Sequence, residues 1–272
     1  MSGAARKILK RLLPARWRRW CRLQLGWRWL RGDYRDWAAA RAASLGYDVA
    51  AERERYRAAA RLVQNGAAAW ERDGTTFATP AVNTRLLQNF RRMAGESNGS
   101  LDVVDFGGAF GSTWRQNRAA LAALASPVTW RVVEQPDWVR VGRAEFANEE
   151  LQFHESLADA VAQARRPTLL LSSVLQYLEQ PHRLLAEAAA LGFRDVIIDR
   201  TPFWRGPRDR LAVQHTPPEL GGGTYPCWVF NRAGLLAPFA ADYAIVAEWE
   251  ADDDLATWVN FRGCHLVRQR RD

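Results

Sequence analysis

Asp105 begins a glycine-rich segment whose residue types suit the binding of a small ligand through backbone and carboxylate groups. The segment reads Asp105, Phe106, Gly107, Gly108, Ala109, Phe110, Gly111 and Ser112. It follows the apolar, strand-like run Leu101–Asp105. Glycines let a ligand approach the backbone closely, and the first N–H groups of a following helix are free to donate hydrogen bonds. The segment therefore predicts a ligand site where a strand ends and a helix begins.

The spacing within this segment separates the candidate ligands. The dinucleotide pattern G-x-G-x-x-G, read from Gly107, retains one of its three glycines, and a P-loop would need Lys after Gly111. The pattern acid-x-Gly-x-Gly-x-Gly fits better, with Ala109 as its departure, which is tolerable if the φ angle of Ala109 is negative. Asp105 would repel a pyrophosphate but can hold an ammonium group. The segment thus favours S-adenosyl-L-methionine, a cofactor with an ammonium, a sulfonium and no phosphate.

Two later segments supply further walls for such a site. Glu134 ends the strand-like run Trp130–Glu134, and a carboxylate there can accept both ribose hydroxyls, with Gln135 beside it. Taken singly, Asp105 could be a helix cap and Glu134 a solvated strand end. The remaining predicted cofactor contacts follow two other strand-like runs. Ser156 or Glu155 would lie near the adenine, and Ser172 and Ser173 would lie near the sulfur.

The distribution of apolar runs predicts the fold. From Leu101 onward, strand-like runs alternate with intervals long enough for crossover helices, which is typical of a doubly wound α/β sheet. Two last strands, near 243–249 and 257–267, would close a mostly parallel sheet with a C-terminal antiparallel strand. We expect a leader at 1–32, a helical cap region at 33–98 and a catalytic domain at 99–272.

Several of these segments also resemble a bacterial family of class I S-adenosylmethionine-dependent methyltransferases, whose genes often lie beside those for surface polysaccharides. The resemblance covers about Gly26 to Val267 and is carried by residues 104–108, 133–136, 171–178 and 198–203, and by 32–37, 46–48 and 225–231. It implies a class I fold and methyl transfer, with a surface-glycan or nucleotide-sugar precursor as acceptor.

Candidate catalytic residues lie at the ends of other predicted strands. Asp199 would act as a general base or orient one, and Arg200 would bind an anionic acceptor, although the two could instead form a structural ion pair. His154 is a third candidate base, or else part of a pocket wall.

Candidate acceptor-binding residues lie after the strand-like runs at 168–172 and 195–199. Gln176, Tyr225 and Trp228 are the predicted substrate-binding residues, with core packing as the alternative for the two aromatic side chains. The segment 205–223, which contains His215, would form a lid hinged at its glycines. The three cysteines are far apart and have no metal-ligand spacing, so no metal is predicted.

The net charge of +8 is concentrated in the leader. Residues 1–32 hold ten of the 38 Lys and Arg residues and no acid, whereas the remainder is near neutral. Leu and Trp interleave with Arg there, which suits an anionic membrane surface, a solvated leader or, less well, RNA. No apolar run is long enough to span a membrane.

Three functions are consistent with these features. The first is O-methylation of a glycan precursor in the cytoplasm, at or near the inner face of the membrane. The second is a degenerate methyltransferase-fold scaffold, which only Ala109 favours. The third is an RNA methyltransferase. Nucleic acid binding is disfavoured because RNA-binding enzymes usually spread positive charge over the catalytic face.

Overall fold

The structure, a computed structural model, describes residues 29–46, 49–125, 127–162, 164, 166–216, 222–253 and 255–269. Residues 1–28 lie outside this part of the chain, so it does not test the predictions for the basic leader. Within the described residues, no helix combines the length and the apolarity needed to cross a membrane.

A ten-stranded sheet organises the fold, and a separate two-stranded hairpin, β2–β3, lies outside it. The strands are β1 Leu30–Tyr34, β2 Trp70–Arg72, β3 Thr75–Phe77, β4 Leu101–Phe106, β5 Val128–Val133, β6 Leu151–His154, β7 Thr168–Ser172, β8 Asp195–Trp204, β9 Arg210–His215, β10 Thr224–Asn231, β11 Tyr243–Glu250 and β12 Asn260–Arg268. Five neighbours in the order β8-β7-β4-β5-β6 are parallel. β12 runs antiparallel to β8, and β11 to β12. This topology confirms the predicted doubly wound α/β sheet, mostly parallel with an antiparallel C-terminal strand.

Helices cover both faces of the parallel strands. They are α1 Trp37–Ala42, α2 Val49–Gln64, α3 Thr84–Glu96, α4 Ser112–Leu124, α5 Pro136–Glu145, α6 Leu157–Ala162, α7 Pro181–Leu191 and α8 Arg232–Leu236, with 3-10 turns at Leu175–Tyr177 and Ala237–Phe239. Neighbouring residues of β4 point to opposite faces, so Val103 packs with α3, α4 and α5, and Val104 packs with α6, α7 and α8. Burial on both sides explains why the parallel strands are continuous apolar runs.

The N-terminal part of the chain is less helical than its composition indicated. Leu30–Tyr34 is a strand that pairs antiparallel with β9, so the sheet crosses the predicted boundary at residue 32. Helix α1 begins later, because the Asp36 carboxylate accepts the Ala39 N–H at 2.8 Å. Helix α3 begins at Thr84, where the Asn83 side chain caps it. The limits proposed for the helical cap region remain a prediction.

The hairpin β2–β3 was not anticipated from the sequence. Asp73 and Gly74 form its turn with φ angles of 52° and 70°. Two successive positive φ angles match the right-handed twist of paired strands, and the pair Asp-Gly favours this geometry. The turn projects Asp73 toward the carboxyl end of β8, where it contacts Arg200.

The segment predicted as a lid is largely a strand. Arg210–His215 forms β9, which pairs antiparallel with Thr224–Val229 of β10. The main-chain hydrogen bonds of both strands hold this part of the segment within the sheet, so it does not have the loop structure expected of a lid. Residues 217–221 lie outside the described part of the chain.

Candidate functional site

The glycine-rich loop lies at the carboxyl end of β4, the edge where ligands bind in doubly wound sheets. Gly107 has a φ angle of +74°, and a Cβ atom there would lie 2.4 Å from the Val174 side chain. A Cβ atom on Gly108 would lie 2.5 Å from a carboxylate oxygen of Asp105. Gly111 immediately precedes α4, and its N–H donates to the Gly108 carbonyl at 2.9 Å. The loop is therefore a close-packed backbone cradle that side chains would fill.

Ala109 occupies the middle glycine position of the pattern with a φ angle of +51°. The condition given above for tolerance of alanine, a negative φ angle, is therefore not met. For an L-residue this geometry costs about 1–2 kcal/mol. The conformation points the Ala109 N–H at Glu134 Oε1, with an N–O distance of 3.3 Å. Ala109 thus stores strain in a loop that remains bonded to the neighbouring strand end.

Glu134 follows β5 directly, as its predicted role requires. Its two carboxylate oxygens accept N–H groups from Ala109 and from Gln135, the latter at 3.0 Å. Burial raises the pKa of Glu134, and these two hydrogen bonds partly oppose that rise. Each oxygen of an ionised carboxylate accepts about two hydrogen bonds, so each retains one free lone pair. Gln135 contributes its main-chain N–H, while its side chain is exposed.

Asp105 is buried beneath the loop, with 2% of its surface exposed. Burial raises its pKa to about 7; the hydrogen bond from the Trp130 indole opposes this rise and the charge of Glu134 adds to it. The Trp130 Nε1–H donates to Asp105 Oδ2 at 3.0 Å. Among the described residues, neither Asp105 nor Glu134 forms an ion pair with a basic side chain. Two acidic groups therefore flank the loop without a cation.

Ser172 and Ser173 lie at the end of β7, next to the loop strand. The Ser172 hydroxyl donates to Asp199 Oδ2 at 3.3 Å, and the Ser173 N–H donates to the Asp199 carbonyl at 3.0 Å. Ser173 has a φ angle of +56°, and its hydroxyl accepts from Gln176 Nε2 at 3.0 Å. Gln176 is 1% exposed, and its Oε1 has no hydrogen-bond partner in the described part of the chain. The structure therefore brings Ser172, Ser173 and Gln176 together at the end of β7.

Asp199 and Arg200 bond to separate partners, and their predicted catalytic roles remain a prediction. Asp199 is buried and accepts the Trp249 indole N–H at 2.8 Å, and burial raises its pKa. The Arg200 guanidinium donates to both oxygens of Asp253, at 3.0 and 2.9 Å, and to Asp73 at 3.1 Å. Two carboxylates accept three of the five N–H donors of this guanidinium, so binding of an anionic acceptor by Arg200 remains a prediction. The alternative of a structural ion pair between Asp199 and Arg200 is not what the structure shows, because the guanidinium pairs with Asp253 and Asp73.

His154 lies too far away to act with Asp199. β5, β4 and β7 separate its strand, β6, from β8. Four steps of about 4.8 Å put the two strands about 19 Å apart. Burial lowers the pKa of His154, and its Nε2 has no partner among the described side chains and backbone. Nearby, the Ser156 hydroxyl accepts the Asp159 N–H at 3.1 Å and caps α6. Ser156 therefore has a helix-capping role, and its contact with adenine remains a prediction.

Trp228 packs inside the fold, as the alternative interpretation allowed. Its indole N–H donates to the Leu178 carbonyl at 3.0 Å, and its ring stacks on Trp37 with centroids 6.4 Å apart. These contacts hold α1 and the 3-10 turn against β10, so the assignment of Trp228 as an acceptor-binding residue is not supported by the geometry.

Tyr225 lines a cleft, as predicted for an acceptor-binding residue, together with Tyr177, for which the sequence indicated no role. The cleft has a volume of about 240 Å³ and is lined by Trp37, Arg41, Ser44, Gly46, Val49, Tyr177, Tyr225 and Pro226. The two tyrosine rings meet edge to face at 5.4 Å. Gln214 joins them by accepting from the Tyr177 hydroxyl at 3.3 Å and donating to the Tyr225 hydroxyl at 3.2 Å.

Glu71 is a second residue that sequence patterns did not reveal. It lies on β2 with 3% exposure, accepts the Ser112 hydroxyl at the start of α4, and accepts the Gly74 N–H at 3.2 Å. Burial raises its pKa. No local signal could identify it, because its contact with the loop depends on where the hairpin packs.

No protein-family model matches the sequence, and no curated protein matches it. Solved structures with a similar fold include the N-terminal domain of EvdMO1 with SAH bound, at 15% identity and a TM-score of 0.44 over 80% of this chain and 97% of that chain. Magnesium protoporphyrin IX methyltransferase (ChlM) from Synechocystis PCC 6803 with bound SAH is 12% identical, with a TM-score of 0.45 over 82% and 100%. The glycopeptide N-methyltransferase MtfA complexed with SAM is 11% identical, with a TM-score of 0.45 over 70% and 95%. These low identities leave the function to be decided by the residues of the site.

Proposed function

We propose that this protein is an enzyme that transfers a methyl group from S-adenosyl-L-methionine to a small-molecule acceptor. The observation that carries the proposal is a pair of carboxylates, the buried Asp105 and the partly buried Glu134, that flank a glycine-rich loop and have no basic partner among the described residues. Buried carboxylates with raised pKa values are costly for a fold and concentrate at functional sites. A cationic ligand with hydroxyl donors would satisfy both of them.

The chemistry of the donor set fits this cofactor. Glu134 retains one lone pair on each oxygen, which matches the two hydroxyls of a ribose. Asp105 suits an ammonium group, directly or through water. Glycine is required at both positions 107 and 108, because a Cβ atom would collide with the Val174 side chain or with the Asp105 carboxylate. The Asp105 carboxylate next to the loop would instead repel the pyrophosphate of a phosphate-bearing cofactor.

When bound, S-adenosylmethionine supplies a methyl group that its sulfonium has already activated. The protein then has to align the acceptor and exclude water. Ser172 and Ser173 border the loop from β7, and Asp199 positions both of them through its carboxylate and its carbonyl. Asp199 therefore acts as a positioning residue in this proposal. Tyr177 and Tyr225 orient the acceptor in the cleft that they line.

The acceptor we favour is a surface-glycan or nucleotide-sugar precursor methylated on oxygen. The resemblance to a family encoded beside polysaccharide genes supports this class. The aromatic and hydrogen-bonding lining of the cleft supports it as well, since sugar rings stack on aromatic faces and bind hydroxyl and amide groups. We further propose that the enzyme works in the cytoplasm, at the inner face of the membrane.

Isothermal titration calorimetry with S-adenosylmethionine tests the cofactor proposal. We expect Glu134→Gln to weaken binding about 100-fold, because two hydrogen bonds to a charged group each contribute about 1.5–3 kcal/mol and are only partly retained by an amide. Glu149→Gln, which changes an exposed carboxylate beyond α5, is the matched control and should bind like the wild type. If the wild-type protein releases no heat and binds no labelled cofactor, the enzyme proposal is wrong and a methyltransferase-fold scaffold is the better description.

A further inference from the structure

A cavity that the proposed function does not use lies at the amino ends of β7 and β8. Its volume is about 470 Å³, which falls within the range of about 300–1,000 Å³ typical of small-molecule sites. The residues that line it include Arg166, Gly192, Arg194, Asp242, Arg268 and Gln269. Thr168 begins β7 at this edge of the sheet and Ser172 ends it at the cofactor edge, so the two edges are about 13 Å apart along the strand. The cavity is therefore separate from the cofactor loop and large enough for a ligand of its own.

Three arginines from separate parts of the chain line this cavity. Arg166 precedes β7, Arg194 precedes β8, and Arg268 ends β12. β8 pairs with β7 on one side and with β12 on the other, and the Arg268 N–H donates to the Arg194 carbonyl at 2.8 Å. The three backbone segments therefore lie within two strand spacings of each other, or about 10 Å. Among the described residues, the lining contains one carboxylate, that of Asp242, against these three cations. Positive charge is thus concentrated in a concave space, where it attracts anions most strongly.

Neighbouring groups hold each of the three guanidinium groups in place but use few of its donors. Arg194 pairs with the Glu96 carboxylate, and Arg166 Nη1 donates to the Glu96 carbonyl at 3.4 Å. Arg268 Nη1 donates to the Gly192 carbonyl, also at 3.4 Å. Each guanidinium has five N–H donors, so these contacts leave at least three on each. The donors are held in position before a ligand arrives, which reduces the entropy that binding would cost.

Gly192 allows the Arg268 guanidinium to approach the end of helix α7. Gly192 follows α7 with a φ angle of +70°, and a Cβ atom there would lie 2.4 Å from Arg268 Nη1. The last carbonyl groups of a helix attract cations, so capping of α7 explains one hydrogen bond of Arg268. Capping of α7 does not explain why Arg166 and Arg194 line the same cavity. An anion bound between the three side chains does.

The number and placement of the guanidinium groups indicate which anion fits. A guanidinium donates two parallel hydrogen bonds to a phosphate or a carboxylate. The oxygens of a tetrahedral phosphate point in several directions, so groups from three different elements can each contact one, whereas a carboxylate has two oxygens in one plane. The cavity is larger than a phosphate group alone, and Gln269 lines it with an amide that can bond hydroxyl groups. These features favour a phosphorylated molecule with further polar groups.

We propose that this space, hereafter the arginine cavity, binds a small molecule through a phosphate group held by Arg166, Arg194 and Arg268. The arginine cavity lies at the edge of the sheet opposite to Asp105 and Glu134, so its ligand does not compete with S-adenosylmethionine. The inference is therefore independent of the proposed methyl transfer.

Isothermal titration calorimetry with pyrophosphate at constant ionic strength tests the arginine cavity. We expect the wild-type protein to bind, and Arg166→Met and Arg268→Met each to weaken binding about tenfold, because methionine removes the charge-assisted hydrogen bonds. Arg268→Lys retains the charge but not the paired donors, so it should weaken binding by a smaller factor. Arg91→Met is the matched control: Arg91 is exposed on α3 and does not line the cavity. Its affinity for pyrophosphate should equal that of the wild type.

Three outcomes of this titration would overturn the inference. If the wild-type protein releases no heat with millimolar pyrophosphate, the cavity is not a phosphate site. If Arg91→Met weakens binding as much as Arg166→Met does, pyrophosphate responds to the general surface charge and not to the cavity. If the dicarboxylate malonate binds as tightly as pyrophosphate, the cavity does not select phosphate.

Two further measurements keep the result interpretable. Circular dichroism shows whether each variant folds, and because Arg166 is exposed, Arg166→Met tests the cavity even if Arg268→Met does not fold. Calorimetry with S-adenosylmethionine on Arg166→Met should give the wild-type affinity, since the cofactor edge lies across the sheet. An equal loss of pyrophosphate and S-adenosylmethionine binding in a folded Arg166→Met protein would show that the two sites are not separate, which would contradict the inference.

Discussion

The carboxyl ends of β4 and β5 differ from the region around Arg200 on β8 in how their charged side chains are paired. At β4 and β5, Asp105 and Glu134 are held by N–H groups alone. At β8, Arg200 is bonded to Asp253 and to Asp73. In the described part of the chain, the first region contains two acids without a basic partner, whereas the second contains a cation that is paired with two acids.

This difference distinguishes binding residues from structural ones better than position on the sheet does. Both regions lie at the ligand edge, so topology alone made Arg200 and Asp105 equal candidates. Carboxylates that remain unpaired inside a protein are retained at a cost, and a ligand that pairs with them explains why. The Arg200 guanidinium, in contrast, already has two carboxylate partners within the fold. Arg200 instead connects β8 to the β2–β3 hairpin and to the loop that precedes β12.

Replacement of Arg200 tests whether its ion pairs with Asp253 and Asp73 stabilise the fold, and it has the largest expected effect. Arg200→Met removes a largely buried cation and leaves Asp253 and Asp73 without it, so we expect the free energy of unfolding to fall by about 3 kcal/mol. Urea denaturation measures this change. Arg205→Met, at an exposed neighbouring position, should alter stability by less than about 0.5 kcal/mol.

The same variant can also contradict the comparison. If Arg200→Met remains as stable as the wild type but loses S-adenosylmethionine binding in calorimetry, then Arg200 is a ligand-binding residue and the β8 region belongs to the cofactor site.

The pH dependence of cofactor affinity tests whether Asp105 binds the cationic group of the cofactor. Burial holds the pKa of Asp105 at about 7 in the folded protein, far above its ordinary value of 3.8. A cationic ligand pairs with the ionised form, so affinity should rise about tenfold between pH 6 and pH 8. Asp105→Asn should bind more weakly and show a flat profile. A wild-type profile without this rise would mean that Asp105 does not contact the ligand cation.

Stability should change with pH in the opposite direction. The folded protein retains the Asp105 proton up to about pH 7, whereas the unfolded chain releases it near 3.8. The unfolded state therefore binds fewer protons in this window, and the Asp105 contribution to the free energy of unfolding falls as pH rises. Bound S-adenosylmethionine should reduce that fall, and Asp105→Asn should remove it.

Local sequence patterns predicted the parts of the molecule that local forces determine. The strand-like run predicted at Leu101–Asp105 matches β4 to within one residue, because buried parallel strands are largely apolar runs. Asp105 and Glu134 were placed correctly at the ends of β4 and β5 for the same reason. Their role follows from being the first polar groups after such runs.

What the sequence could not reveal depends on contacts between distant segments. Asp73 and Asp253 neutralise Arg200 from two separate connections, and neither has a spacing that identifies it. β10 contains Pro226, which lowers strand propensity, yet its pairing with β9 determines its conformation. The left-handed φ angle of Ala109 is likewise imposed by the loop and not by its own preference.

Ala109 provides the smallest and most local test of the cofactor region. Glycine adopts a φ angle of +51° without the steric cost that alanine meets, so Ala109→Gly should raise the free energy of unfolding by about 1 kcal/mol. The opposite sign is expected for Ala188→Gly in the middle of α7, where glycine costs about 1 kcal/mol and a buried methyl group is also lost. Thermal denaturation of both variants measures the pair. Because the N–H that bonds Glu134 is present in either residue, cofactor affinity should stay within about twofold of the wild type. Lower affinity in Ala109→Gly would mean that the alanine methyl group itself shapes the pocket, and the middle position of the loop would then select for alanine and not merely tolerate it.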